Sequence, residues 1–143
     1  MMFIEMLDFV ARYLEIEIPY GITDDEHCYC CHEDEIISMN YDDAHMNEDL
    51  FLDFVEELFP KAREFDVVFW SFLHEIGHLQ ETDIDYEDMV LRRLLLADDD
   101  SPSVRAAYFR LPREKAATFW AVQFISNNYE KCKVANDIVS EWH

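Results

Sequence analysis

One stretch near the middle of the chain restricts the fold more than any other. Residues 62–80 have the spacing of a long helix, and residues 67–79 are strongly apolar. A helix that is apolar on all sides is buried in the protein. Two histidines and a glutamate interrupt the apolar run, His74, Glu75 and His78, and such groups are costly in a core unless they have partners. The fold must therefore enclose this helix and supply partners for its polar turn.

The spacing of these three residues indicates a metal site. Residues four positions apart lie on the same face of a helix, so His74 and His78 can bind one ion. Zinc accepts neutral histidine nitrogens, and it keeps a position for water when the protein supplies only three ligands. Glu75 would lie beside that water and accept its proton. The pattern H-E-x-x-H thus predicts a catalytic zinc centre, whereas the alternative is a pair of hydrogen-bonded core histidines.

A third ligand has to come from another part of the chain. Residues 80–88 contain several acids, but nothing distinguishes one of them. Glu114 is a better candidate, in the first turn of a helix predicted to begin at Pro112. Three residues of that helix would accompany it at i+3, i+6 and i+7, namely Ala117, Trp120 and Ala121. The small alanines would allow close approach to the metal helix, although Glu114 could instead be a solvated residue that stabilises the helix N-terminus.

The remaining pattern predicts a mainly helical α+β fold, with a small β-sheet that precedes the buried helix. We interpret residues 1–143 as a single domain, because no linker or repeat divides them. Two short strands are predicted, at residues 27–31 and 35–40, around an acidic turn. Further helices are predicted at residues 2–15, 50–58, 85–97, 112–126 and 129–141, with a loop at residues 98–102.

The charge of the chain restricts its partners. There are 32 acidic and 11 basic residues, which gives a formal net charge of −21. Such a surface repels nucleic acid and anionic membranes and attracts basic partners. We expect no direct binding to nucleic acid, no membrane span and no signal peptide. The four cysteines form a poor disulfide framework, so reduced thiols and a cytoplasmic location are predicted.

Residues 27–32, with the sequence HCYCCH, form a second cluster of metal-binding residue types. Cys28 and Cys31 have the spacing of a zinc knuckle, which makes a second metal possible. Two alternatives stay open. The thiols could pack in the core, or one of them could contribute to the first metal, as in peptide deformylases.

Two segments carry a resemblance to a known family. Residues 66–79, DVVFWSFLHEIGHL, and residues 114–121, EKAATFWA, resemble the ImmA/IrrE family of small metallopeptidases. The resemblance implies zinc bound by His74, His78 and Glu114, with Glu75 as the general base. It also implies a zincin-like, gluzincin-type fold, in which the buried helix lies against a small sheet and a second ligand helix. Residues 35–40 resemble the edge strand of that family.

These observations favour an intracellular zinc endopeptidase with a protein substrate. The resemblance implies that the substrate is a basic helix-turn-helix repressor. One alternative is an acidic protein that mimics DNA and keeps a non-catalytic zinc site, and another is a hydrolase of small molecules or peptide ends. Four side chains could donate a hydrogen bond to the tetrahedral intermediate: His32, His45, Tyr86 and Tyr108. The arginines at 92, 93, 105, 110 and 113 are interpreted as internal partners for the excess acid.

Overall fold

A computed structural model describes residues 1–80 and 101–142 and confirms a mainly helical α+β arrangement. The α-helices of this part are α1 (Phe3–Tyr13), α2 (Tyr41–Met46), α3 (Glu48–Leu58), α4 (Val67–Gly77), α5 (Pro102–Phe109), α6 (Pro112–Asn127) and α7 (Tyr129–Ser140). The strands are β1 (Gly21–Thr23), β2 (Tyr29–Cys31) and β3 (Ile36–Ser38).

Helix α4 is the centre of the core, as its apolar sequence predicts. All 11 of its residues are buried. The prediction of one helix over residues 62–80 was wrong at both ends, because separate 3₁₀ turns occupy Ala62–Glu64 and His78–Gln80. The break has a local cause at Asp66, whose carboxylate accepts a hydrogen bond from the Val68 amide at 2.8 Å. A residue that caps a helix in this way has an extended backbone, so α4 can begin only after it.

The sheet lies beside α4 and differs from the prediction in one respect. Strand β3 pairs with β1 in parallel and with β2 in antiparallel orientation, so β3 is the central strand of the three. The two predicted strands are confirmed, but the prediction that residues 35–40 form an edge strand was wrong. Among the described strands, β2 is an edge next to α4. The prediction overlooked β1, since three residues are too few for a period-two pattern.

Most of the predicted helices outside α4 are confirmed to within a few residues, as α1, α3, α6 and α7 show. Helices α2 and α5 were not predicted. Ser101 caps the start of helix α5, because its hydroxyl accepts a hydrogen bond from the Val104 amide at 3.4 Å, and Pro102 occupies the first turn. A Ser-Pro pair is found in loops and at helix starts alike, so the sequence alone favoured a loop. The predicted helix at 85–97 and most of the predicted loop at 98–102 lie outside the described residues.

Two hydrogen bonds to other segments hold the start of α4 in place. The Trp70 indole donates to the carbonyl of Ala62 at 2.7 Å. The Asp66 amide donates to the side-chain oxygen of Asn136 on α7, also at 2.7 Å. The helix that carries H-E-x-x-H is therefore anchored at its start as well as packed on all sides. Within the described part of the chain, no helix has the length and apolar character needed to cross a membrane.

Candidate metal centre

Three side chains from two helices converge at the end of α4. His74 lies in its last turn, His78 follows directly after it, and Glu114 comes from the first turn of α6. The Nε2 atoms of the two histidines are 3.3 Å apart. Glu114 places Oε1 at 3.3 Å from Nε2 of His74 and Oε2 at 2.8 Å from Nε2 of His78. Of the described residues, these three form the group that could hold a metal ion.

The separations between these atoms fit a shared ion. Ligand atoms that lie about 2.0–2.2 Å from a tetrahedral ion are about 3.3–3.6 Å from one another. Two of the observed separations, at 3.3 Å, fall in this range. The pair formed by His78 and Glu114 is closer, at 2.8 Å, which is the length of a direct ion pair. That pair would have to open by roughly half an ångström to admit an ion.

The three side chains are buried, so a charge on any of them has to be balanced by a neighbouring group. His74, His78 and Glu114 are only 4%, 5% and 3% exposed. Burial by itself raises the pKa of Glu114, but the charge of His78 and hydrogen bonds from His74 and His78 outweigh it and hold the pKa well below its usual value. Glu114 is therefore a carboxylate, and a buried carboxylate requires a cationic partner. A metal ion bound by the two neutral imidazoles would meet that requirement, and so would a protonated histidine.

The two helices that carry the candidate ligands, α4 and α6, touch through their backbones. A Cβ atom built at Gly77 would lie 2.5 Å from the carbonyl oxygen of Ala117 on α6. Only glycine allows this approach, since no side chain tolerates such a contact. Both residues are buried. The glycine of the motif and the small residue three positions after Glu114 therefore bring the glutamate within reach of the two histidines.

His74 has a second partner, which the sequence analysis did not identify. The Oγ1 atom of Thr118 lies 2.8 Å from Nδ1 of His74, and Thr118 is fully buried. A hydrogen bond on one ring nitrogen orients the other nitrogen towards a metal. The position of Thr118 on the helix could have revealed it, because residue 118 lies one turn after Glu114. Trp120, which was counted on that face instead, stacks on Phe124 with ring centroids 5.4 Å apart.

Glu75 and the three ligand candidates line a cavity of about 550 Å³. Glu75 is 7% exposed, and its Oε1 lies 4.0 Å from Nε2 of His78. One wall of the cavity consists of β2 and the residues that flank it, and another consists of α5 and the start of α6. The cavity therefore joins the candidate general base, the candidate ligands and the edge strand in a single space.

The cysteine cluster lies on the same cavity, but its thiols point to different neighbours. The sulfur of Cys28 is 3.5 Å from both the amide nitrogen and the carbonyl oxygen of Asn40. The sulfur of Cys31 is 3.6 Å from the carboxylate of Asp34. Burial and the negative charge of Glu75 raise the pKa of Cys28 to about 12, so it is a neutral thiol. In residues 1–80 and 101–142, no cysteine belongs to a group of three potential metal ligands.

The four candidates for a transition-state hydrogen bond fall in different places. His32 and Tyr108 line the cavity, and Nδ1 of His32 lies 2.9 Å from the hydroxyl of Tyr20. His45 is not among the described residues that line it, and its ring lies against Tyr41 with centroids 4.4 Å apart. Tyr86 lies outside the described residues. The structure therefore reduces the described candidates to His32 and Tyr108.

Comparisons of the chain with protein families, with curated proteins and with solved structures found no match.

Proposed function

We propose that this chain is a zinc-dependent endopeptidase. The observation that carries the proposal is the position of Glu75 beside the buried group of His74, His78 and Glu114, on a cavity with room for a peptide segment. A purely structural metal site requires ligands and has no use for a buried carboxylate beside them. The resemblance of residues 66–79 and 114–121 to the ImmA/IrrE metallopeptidases supports the same conclusion. So does the arrangement of α4 and α6 beside a small sheet, which we interpret as zincin-like.

Each residue of the proposed site has a distinct role. His74, His78 and Glu114 would hold the zinc, which supplies Lewis acidity that polarises a carbonyl and acidifies water when it is bound. Glu75 accepts the proton of the attacking water and afterwards transfers it to the leaving amine. Thr118 keeps Nε2 of His74 directed at the ion through the contact at Nδ1. His32 or Tyr108 donates a hydrogen bond to the oxygen on which negative charge develops.

Strand β2 is the element that would bind the substrate backbone. It forms an edge among the described strands and lines the cavity that contains Glu75. An extended peptide can add to such an edge through main-chain hydrogen bonds, and this mode of recognition is insensitive to sequence. Side chains around the cavity would then select the substrate.

The proposed substrate is a protein with a basic surface. A net charge of −21 attracts a cationic partner and speeds encounter with it. The resemblance points to a DNA-binding regulator of the helix-turn-helix type, whose DNA-contacting surface is basic.

The substitution Glu75→Gln tests the proposal. Glutamine keeps the size of the side chain but cannot accept the proton, so cleavage of the substrate should fall by about 10²-fold or more. Zinc content and thermal stability should stay near those of the wild type. The assay is co-expression with the product of a neighbouring regulator gene, scored by cleavage on a gel. Cleavage that survives the substitution would remove Glu75 from the mechanism.

A second candidate function follows from the charge alone. An acidic protein can occupy the basic surface of a DNA-binding protein without cutting it, and the 32 acidic residues motivate this alternative. The zinc site would then be non-catalytic. Under this alternative, the wild type and Glu75→Gln would bind and inhibit the regulator to the same extent, and neither would cleave it.

A further inference from the structure

Two arginines occupy an unusual place in this acidic protein. Other described arginines pair with acids on the outer surface, such as Arg12 with Asp8 and Arg110 with Glu57. Arg105 and Arg113 line the cavity that contains the candidate metal ligands, and each also has an interaction within the protein. Both are half-buried. A chain with 32 acidic and 11 basic residues therefore puts two fixed positive charges on the wall of its proposed active site.

The positions of both arginines are set by the helices that form this wall. Arg113 precedes the ligand candidate Glu114 in the first turn of α6. Arg105 lies on α5, one turn before Tyr108, which lines the same wall. Helix α5 packs against α6, and Arg105, Tyr108 and Arg113 line the same cavity as the candidate metal ligands.

Four of the described acids line the same cavity, Glu33, Asp43, Glu75 and Glu114, and Glu75 is the candidate general base. Glu114 belongs to the candidate metal site. Asp43 accepts a hydrogen bond from the amide of Cys28 at 2.8 Å, and its carboxylate lies 3.4 Å from Nδ1 of His27. Asp43 therefore contacts the segment that leads into β2. A guanidinium carries five N–H donors, so an arginine that already has a partner in the protein can still bind another acceptor. Its planar fork matches a carboxylate.

We propose that Arg105 and Arg113 form a subsite for a carboxylate of the substrate next to the scissile bond. The inference rests on the proposed peptidase function and specifies its selectivity. The group recognised is an acidic side chain or the carboxylate at a chain end. The negative charge of the enzyme would then attract a substrate with a basic surface. The substrate carboxylate that binds the two arginines would determine which peptide bond is cut.

The test uses hydroxamates, because they bind a metal and report on the neighbouring subsite without turnover. Three compounds share a succinyl hydroxamate scaffold and end in alanine amide, in alanine with a free carboxylate, or in aspartate amide. Affinities are read from the visible spectrum of the cobalt-substituted protein. We expect at least one charged compound to bind about 10-fold tighter than the neutral one, the scale of a charge-assisted contact. The charged compound that gains affinity identifies the source of the carboxylate.

Substitutions of individual arginines show which residues cause the tighter binding of the charged compound. Arg105→Gln and Arg113→Gln should each reduce the advantage of the charged compound, and the double variant should bring the compounds to within about 2-fold of one another. Arg110→Gln is the matched control, because Arg110 follows the same helix α5 but pairs with Glu57 outside the cavity. It should keep the full advantage. Loss of the advantage in Arg110→Gln as well would show a general field effect and overturn the subsite.

Two further outcomes separate this inference from the proposed function. Cobalt that binds while all three hydroxamates have equal affinity would overturn the carboxylate subsite and leave the metal centre intact. A protein that binds no cobalt would overturn both the subsite and the peptidase proposal. The comparison of the three compounds on the wild type decides the inference even if an arginine variant does not fold.

Discussion

The carbonyl oxygen of Ala117 lies 2.5 Å from the place that a Cβ atom would occupy at Gly77. This contact joins the helix that carries the two histidines to the helix that carries Glu114. Because Gly77 directly precedes His78, and Ala117 lies one turn after Glu114, the spacing of the helices at this point determines the separation of the candidate ligands.

The first prediction concerns this contact. The substitution Gly77→Ala should lower the free energy of unfolding by about 1–3 kcal/mol, because backbone atoms have to move to admit the methyl group. It should also weaken metal binding, since α6 carries Glu114 away from the histidines. Thermal unfolding and metal titration measure the two effects. Gly21→Ala is the matched control, because a Cβ there meets nothing within 4 Å. An unchanged metal affinity in Gly77→Ala would show that the close approach is dispensable.

The second prediction concerns the ligand set. The purified protein should hold one metal ion per chain. Loss of an outer hydrogen-bond partner lowers metal affinity by about 10–100-fold. Glu114→Ala should lower metal affinity by more than this, because it removes a ligand. Cys28→Ser and Cys31→Ser should retain the metal, because neither thiol lies in the group formed by the two histidines and Glu114. Elemental analysis and competition with a chelator give the result. A metal lost from the cysteine variants but kept by Glu114→Ala would assign the site to the cysteines.

The third prediction concerns the orientation of His74. Thr118→Val keeps the shape of the side chain and removes the hydroxyl that lies 2.8 Å from Nδ1 of His74. Metal affinity should fall by about 10–100-fold, as expected for the loss of an outer hydrogen-bond partner. Thr118→Ser restores a hydroxyl and should recover most of the affinity. Equal affinities for the valine and serine variants would indicate that Thr118 contributes packing alone.

The fourth prediction concerns alkaline pH and Cys132, which is fully buried on α7. Burial raises the pKa of this thiol from 9.0 to about 12. The folded state therefore holds the proton more tightly than the unfolded state, so the stabilisation is complete below pH 9 and is lost as the pH rises towards 12. In that window each unit of pH should cost up to about 1.4 kcal/mol. Denaturant unfolding of Cys132→Ala should show a shallower decline than the wild type, and parallel declines would contradict the prediction.

Local patterns were enough to predict most of the helices. An all-apolar run predicts a buried helix whatever surrounds it, and α4 is buried along its whole length. The boundaries were less predictable, because Asp66 ends one segment and begins the next through a single side-chain hydrogen bond. Strand β1 was missed for a related reason, since its parallel partner β3 comes later in the chain and no local signal marks the pairing.

The chemistry of the candidate site follows from local spacing along the chain, whereas its geometry depends on how the helices pack. Spacing along one helix is a local property, so H-E-x-x-H places His74, Glu75 and His78 together in any fold that keeps the helix. The partners of His74 come from residues 40 and 44 positions away, at Glu114 and Thr118. The contacts made by distant residues depend on how helices pack, and here a glycine allows α4 and α6 to touch. The same packing places Arg105 and Arg113 on the cavity, which charge patterns along the chain could not show.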